Sequence, residues 1–574
     1  MNKTILLNLV LLLVLSCPAE AVTITVKDDG TGDYPTIQAA IYAAVNGDEV
    51  VAEPGTYTGQ GNRDIDFLGR AITVRSTDPN DPNIVAATII DCNGSSSDKH
   101  RGFYFHNGED ANSILNGFTI TNGYHWSGGA IYCYKSGPTI KSCIINRNIS
   151  EGDDEDGGGG VGCFGEPGPT ITGCIISENS AISHHSGDGH GGGILCRGCS
   201  PTITDCTIIG NSANASGGGI YIGRLGLAAA NTTINNCIIT ANNARTGGGI
   251  NIQWSEPFIH FIANCIITAN KADYGGGVSC AVSSPTITNC TISGNSAIEQ
   301  GGAICFIYHS VSMIMNCTIS GNSSRHGGAF FCYGRGTAPV IGNSIIWENT
   351  ARFGSQMYLK TRGSLGCRAS VNHSDFQDSQ DSVYIEPGST LNWGQGNIDA
   401  DPCFVEGGYW ADACDPNIIV EPNDPNAIWI EGDYHLLSDS LCIDAGDPNY
   451  VAGPNETDLD GNARVVDGDN DGNSVVDMGA YERMPEPAEL IAELIEEVGE
   501  LELPGGIENS LMAKLNAALR ALEDENENND AAAVNTLEAF INAVEAQRGK
   551  KIPEAEADAL IAAAQEIIEL LSDG

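Results

Sequence analysis

Positive charge is scarce in this chain: 27 Lys and Arg stand against 73 Asp and Glu over 574 residues, a formal charge of -46. So acidic a surface repels phosphate backbones and anionic lipid. It excludes nucleic acid and anionic membrane as partners and favours cations, a salty exterior, and neutral or cationic ligands. Long apolar runs are missing beyond the first residues, and nothing later approaches the ~18 residues needed to cross a bilayer as a helix. Helical periodicity is absent through the middle of the chain, which leaves no room for βαβ crossovers. Past Pro485 it is glycine that almost disappears.

What is present begins with MNKTILLNLVLLLVLSCPAEA, where Lys3, an apolar run and a small-residue end read as a secretory signal peptide over residues 1–21. Cleavage after Ala21 makes the chain an exported one. Val-Leu-Ser-Cys17 read as a lipoprotein box is the alternative, leaving a lipid anchor on Cys17.

The middle of the chain repeats one phrase, SPTITNCTISGNSAIEQGGAI at residues 284–304. Copies align on Cys143, Cys174, Cys206, Cys237, Cys265, Cys290 and Cys317, with Ser344 in the eighth place. Ile follows two positions later and Asn five positions later in every copy, from Ile145 and Asn148 to Ile346 and Asn349. Spacings of 25 to 32 residues belong to solenoids. Each copy holds three short β-prone runs separated by Asn and Gly, so the expected fold is a right-handed parallel β-helix of three-strand coils rising about 4.8 Å per coil. Cys and Ile would stack inward as ladders. Asn would sit at a bend, hydrogen-bonded to backbone or to the next Asn.

Twenty cysteines in an exported chain raise the question of disulfides. Column placement argues for buried free thiols in most cases. Cys196 with Cys199, and Cys403 with Cys414, lie in less regular places and are the better disulfide candidates.

Residues 22–60 are expected to cap the rod, with Ile37, Ile41 and Val45 on one face of a short helix. Their DDGTGDYPTIQAAIYAA and Pro-Gly-Thr-Tyr resemble the opening of pectinesterases and other pectin-lyase-like β-helices. Neither a Gly-Arg-Pro-Trp nor an Arg-x-Pro-x-x-Arg follows, so the chemistry that resemblance implies lacks residues to carry it. The Gly-Gly-Ala-Ile repeats, placed within a β-helix over 61–350, resemble those of polymorphic outer-membrane proteins, which implies surface display. Residues 351–483 form an irregular closing segment; its Cys-Ile-Asp-Ala-Gly and Asp-Met-Gly-Ala-Tyr-Glu resemble the choice-of-anchor segment of exported bacterial β-helix proteins. Over 484–574 four amphipathic stretches predict a helical bundle. Its AFINAVEAQRGKKI resembles the FIMAH-type domain, a candidate contact for another protein or the cell envelope.

Three sets of residues are candidates for function. The loop before the Gly-rich strand is long in the early coils, and stacking would set Tyr124, His125 and Trp126 beside Asp153, Asp154, Glu155 and Asp156, and these beside His184, His185, Asp188 and His190. That edge would bind a metal ion or a sugar, or stay a solvated loop. Trp126, Tyr134, Trp254, Tyr308 and Tyr333 would stack on sugar rings or serve as surface packing. Asp467, Asp469, Asp471, Asn473 and Asp477 offer oxygens near Gly472 in the manner of a calcium loop, although Met478 stands where a bidentate acid is wanted. An acidic turn held by its own hydrogen bonds is the alternative. The resulting expectation is a cell-surface or extracellular, adhesin-like or polysaccharide-binding module. A polysaccharide lyase or glycoside hydrolase using Asp153, Asp154, Asp156, His184, His185, Asp188 and His190 as catalytic groups, or a structural spacer, are the alternatives.

Overall fold

The computed structural model describes residues 21–573 apart from 153–156, 184–188, 226–230, 256–259, 364, 423, 455 and 523–528. The chain forms two units, Met1–Val465 with Val475–Glu482, and Val466–Ser474 with Arg483–Gly574.

Three parallel sheets of 14, 12 and 12 strands run along the first unit. One coil supplies Thr286–Thr288, Thr291–Ser293 and Ile304–Ile307, one strand to each. Each strand pairs in register with its counterpart in the next coil, Ile287 with Ile314, Ile292 with Ile319 and Ile304 with Phe330. This is the expected parallel β-helix. Nine coils add a strand from the stretch between Asn and Gly-Gly, running from Tyr124–His125 to Thr350–Phe353. The variable part of the phrase is therefore a fourth sheet.

Coiling starts earlier and ends later than the repeats. Thr23–Val26 and Glu49–Ala52 already pair in parallel, and Thr390–Trp393 is the last strand of the 14-stranded sheet. The helix Ile37–Ala43 buries Ile37, Ala40 and Ile41. Val45, expected on the same face, is exposed because the chain turns extended at Ala44.

The two corners flanking the Cys-x-Ile strand are each made by one residue in the left-handed region. Asn289 before Cys290 has φ +51°, and Gly294 before Asn295 has φ +55°. Most non-glycine residues resist this conformation by about 1–2 kcal/mol, which favours Asn and Gly there. In the Gly-Gly-Gly run, Gly191 supplies φ +63°, while a Cβ on Gly192 would sit 2.4 Å from the carbonyl oxygens of Gly218 and Ser212. Inside, the Cys and Ile columns are buried. Just past the corner the asparagines form a continuous ladder: Asn211 donates from its backbone N at 2.9 Å and from Nδ2 at 3.0 Å to Asn242 Oδ1, and again from Nδ2 to Ile176 O at 2.8 Å.

No disulfide joins the described cysteines. Cys196 and Cys199 are buried in the core as free thiols, and Cys403 and Cys414 are unpaired as well. The pairings expected for them are not made.

After the last coil the closing segment doubles back along the outside of the Cys-x-Ile sheet. Trp410 Nε1 donates to Gly321 O at 3.1 Å, Asn289 Nδ2 to Thr457 O at 2.9 Å, and Ala480 N to Thr318 Oγ1 at 3.1 Å. The Trp429 ring lies on Gly294 and Gly321. Thr291, Ser293, Thr318 and Ser320 face outward yet are buried beneath it. Ile175 and Ile238, in the same column as Thr291 and Thr318 but in uncovered coils, are 44% and 42% exposed. Asp375 accepts from the Cys442 thiol at 3.4 Å, and burial raises its carboxyl to about 7. Glu482, paired with buried Arg464 at 3.0 Å, is pushed by burial to about 9.

In the second unit, helices Pro487–Glu500, Gly505–Leu522, Asn529–Gln547 and Glu554–Asp573 pack around Leu494, Leu515, Leu537, Phe540 and Ile567. Glu486 and Glu489 form a reciprocal cap at the first helix. Among the described residues no helix is long and apolar enough to cross a membrane.

Candidate ligand-binding surface

Sheet registers decide which of the five expected aromatics meet. Tyr134 and Tyr333 share one column but lie seven coils apart, roughly 34 Å at the strand spacing. Trp254 and Tyr308 occupy left-handed positions one residue further, at the corner. Only Tyr308 and Tyr333 touch, with ring centroids 5.2 Å apart. Cations flank most of them: Arg224 is 5.7 Å from Trp254, Arg362 is 5.0 Å from Tyr308, and Lys360 is 5.8 Å from Tyr333. Trp126 lies at a different corner, where the fourth sheet begins.

That corner holds a denser constellation. Trp126 is 57% exposed, and Lys99 sits 5.5 Å from its ring and 4.7 Å from the Tyr124 ring, paired with Glu151 at 2.8 Å. Beside it Arg101 is only 7% exposed, its guanidinium carbon 5.2 Å from the Tyr104 ring and 4.7 Å from the Tyr132 ring. No carboxylate pairs with it among the described residues; one terminal nitrogen faces His125 Nδ1, and the other, Nη1, is buried without a hydrogen-bond partner. Burial pulls Arg101 down to about 10. Burial and then Arg101 pull His125 down to about 4, so the imidazole is neutral. A buried donor with nothing to bond is costly, and such sites commonly take an ordered water or a ligand oxygen.

Of the Asp/His edge, Asp153, Asp154, Asp156, His184, His185 and Asp188 lie outside the described residues. His190 is described and buried, stacked on Tyr221 at 4.5 Å. It bridges Gly157 on one side and Ser216 on the other.

The Asp-rich turn is compact. Asp467 accepts from Asp471 N at 3.0 Å and from Gly472 N at 2.9 Å, and Asp471 accepts from Asn473 N at 2.8 Å. Gly472 has φ +89°, the sharp turn such a loop requires. Asp469 accepts from Asp471 N at 3.1 Å, so four of the five expected oxygen donors fall in one turn. The fifth, Asp477, is buried in the first unit, where Oδ1 accepts from Asp444 N at 2.7 Å.

Residues 80–266 match the family model of the right handed beta helix region, and residues 491–569 match the FIMAH domain. The rod is a right-handed β-helix, and the helical end is FIMAH-like. Within the β-helix, residues 289–307 match the repeat of the Chlamydia polymorphic membrane proteins. That stretch spans the Cys-Thr-Ile strand, the Asn corner, the fourth-sheet strand and the Gly-Gly strand of one coil. No curated protein and no solved structure matches the chain.

Sequence reasoning missed the Arg101 cluster because it lies in the first, irregular coils, where no repeat fixes an alignment. Its trace is the run Lys99-His100-Arg101-Gly102-Phe103-Tyr104, basic and aromatic residues interleaved before an inward Phe105.

Proposed function

We propose that the protein is exported, displayed at or beyond the bacterial cell surface, and binds glycan at the outer corner of the early β-helix coils. The observation that carries this is the exposed Trp126 ring beside the buried Arg101, whose Nη1 has no hydrogen-bond partner among the described residues. An indole offers the apolar face on which sugar C–H groups stack, and a guanidinium offers directional donors to ring hydroxyls. Inward-facing residues are packing, so binding is assigned to the outside of the coils. The repeat shared with polymorphic membrane proteins supports surface display. The Asp-rich turn binds calcium in this reading, since its donors are hard oxygens gathered around one bend.

The test is a tryptophan-fluorescence titration of the full chain with soluble oligosaccharides. Binding should weaken about tenfold or more in Trp126→Ala, the loss of roughly one stacked contact, with melting unchanged. Equal affinity in both chains would overturn the assignment of this corner.

A further inference from the structure

Positive charge is scarce but not evenly so. Between residues 324 and 368 stand Arg325, Arg335, Arg352, Lys360, Arg362 and Arg368 against Glu348 alone, in a chain where acids outnumber bases 73 to 27. The coil turns this segment into a basic belt around the last regular repeats. On the fourth sheet the belt opens into a groove of about 620 Å³, within the size range of small-ligand sites.

The floor of the groove is a hydroxyl column, Ser296, Ser323 and Thr350, in register on adjacent strands. Arg325 and Arg352 flank it, also one strand apart, because Ser324 pairs with Ala351 and His326 with Phe353 on either side of them. Two guanidiniums about 4.8 Å apart in strand spacing can hold one carboxylate or sulfate between them. Their charge is only partly neutralised. Arg325 has only Glu299 at 3.5 Å, both side chains well exposed, and Arg352 rests on the Phe353 ring at 5.3 Å with no paired carboxylate among the described residues. Ile298, 68% exposed, supplies an apolar face, and Glu421 with Pro422 of the closing segment forms the far wall.

We infer that this groove binds an anionic glycan, the paired arginines taking a carboxylate or sulfate and the hydroxyl column the neighbouring sugar hydroxyls. The inference rests on the reading of the rod exterior as a glycan-binding surface, and it adds a second site and a ligand class. The acidity of the whole chain does not forbid it, because charges more than about 8 Å away are screened at physiological salt.

The test compares retention of the full chain on immobilised polygalacturonate, dextran sulfate and neutral dextran. The variants are R325Q/R352Q, and R245Q as an arginine on the same sheet outside the groove. Wild type should be retained by one or both polyanions in a salt-sensitive way. R325Q/R352Q should bind at least about tenfold more weakly, with R245Q as wild type. Retention on polygalacturonate alone assigns the anion as carboxylate, on dextran sulfate alone as sulfate. Undiminished binding by R325Q/R352Q, an equal loss in R245Q, or no retention of wild type on either polyanion would overturn the inference. If polyanion binding fails any of these tests, retention of wild type on dextran leaves the broader glycan reading standing while this one falls.

Discussion

At the scale of single residues, the fold depends on side chains placed where water cannot reach them. Among these, His260 is 1% exposed, with neither ring nitrogen hydrogen-bonded to a described residue, and burial alone lowers it from 6.5 to about 4. A base whose folded pKa is depressed binds its proton more readily when unfolded. Its neutral form is tolerated above pH 6.5, and stability is lost as pH falls from 6.5 through 4. The 2.5-unit gap corresponds to about 3 kcal/mol. Asp375 acts in the opposite sense: raised to about 7, it is relieved by protonation as pH falls. His260→Gln isolates the first effect, because Asp375 is common to both chains. Denaturant unfolding at pH 7 and pH 3.5 should show wild type losing about 3 kcal/mol more than the variant; equal losses would contradict the account. Residues whose identity repeats were the easiest to place from sequence. The Asn ladder and the inward Cys and Ile columns stand where the spacing put them, because each must satisfy the same neighbours in every coil. Arg101 was invisible for the opposite reason: its partners Tyr104, Tyr132 and His125 come from three strands with no common phrase.

At the scale of elements, three strands per coil were legible and the fourth was not. Its letters change from Ser-Ala-Ile-Glu-Gln to Ser-Ser-Arg-His within one repeat, and such a strand is specified by its neighbours rather than by its own propensity. The doubling back of the closing segment was equally hidden, since Trp429 meets Gly294 and Gly321 across more than a hundred residues. A matched pair of substitutions tests that packing. Gly210 and Gly321 hold the same corner position in different coils, with φ +65° and +63°. A Cβ on Gly210 meets only the Glu178 side chain at 4.0 Å, whereas one on Gly321 would lie 2.0 Å from the Trp429 ring. Asn tolerates the left-handed corner, so Gly210→Asn should leave the protein unchanged, and Gly321→Asn should release the closing segment. Limited proteolysis reads this as new cleavage within residues 399–482 in the second variant alone. Equal resistance in both would show that Trp429 does not hold the segment down.

At the scale of the whole molecule, an invariant interior supports an exterior that varies from coil to coil, and a helical unit follows it. If the Asp-rich turn holds calcium, EDTA should lower the melting temperature of wild type by several degrees and leave Asp467→Ala with Asp469→Ala unmoved; an EDTA-insensitive wild type would count against calcium. Composition spoke clearly about the average charge and said nothing about the basic belt, because a count over 574 residues hides a local reversal. The central proposal is that the β-helix exterior binds glycan. Its most direct test is incubation of the full chain with a panel of neutral and acidic polysaccharides, measuring in each sample the protein retained. Retention on at least one polysaccharide is the expected result; no retention on any member of the panel would contradict it.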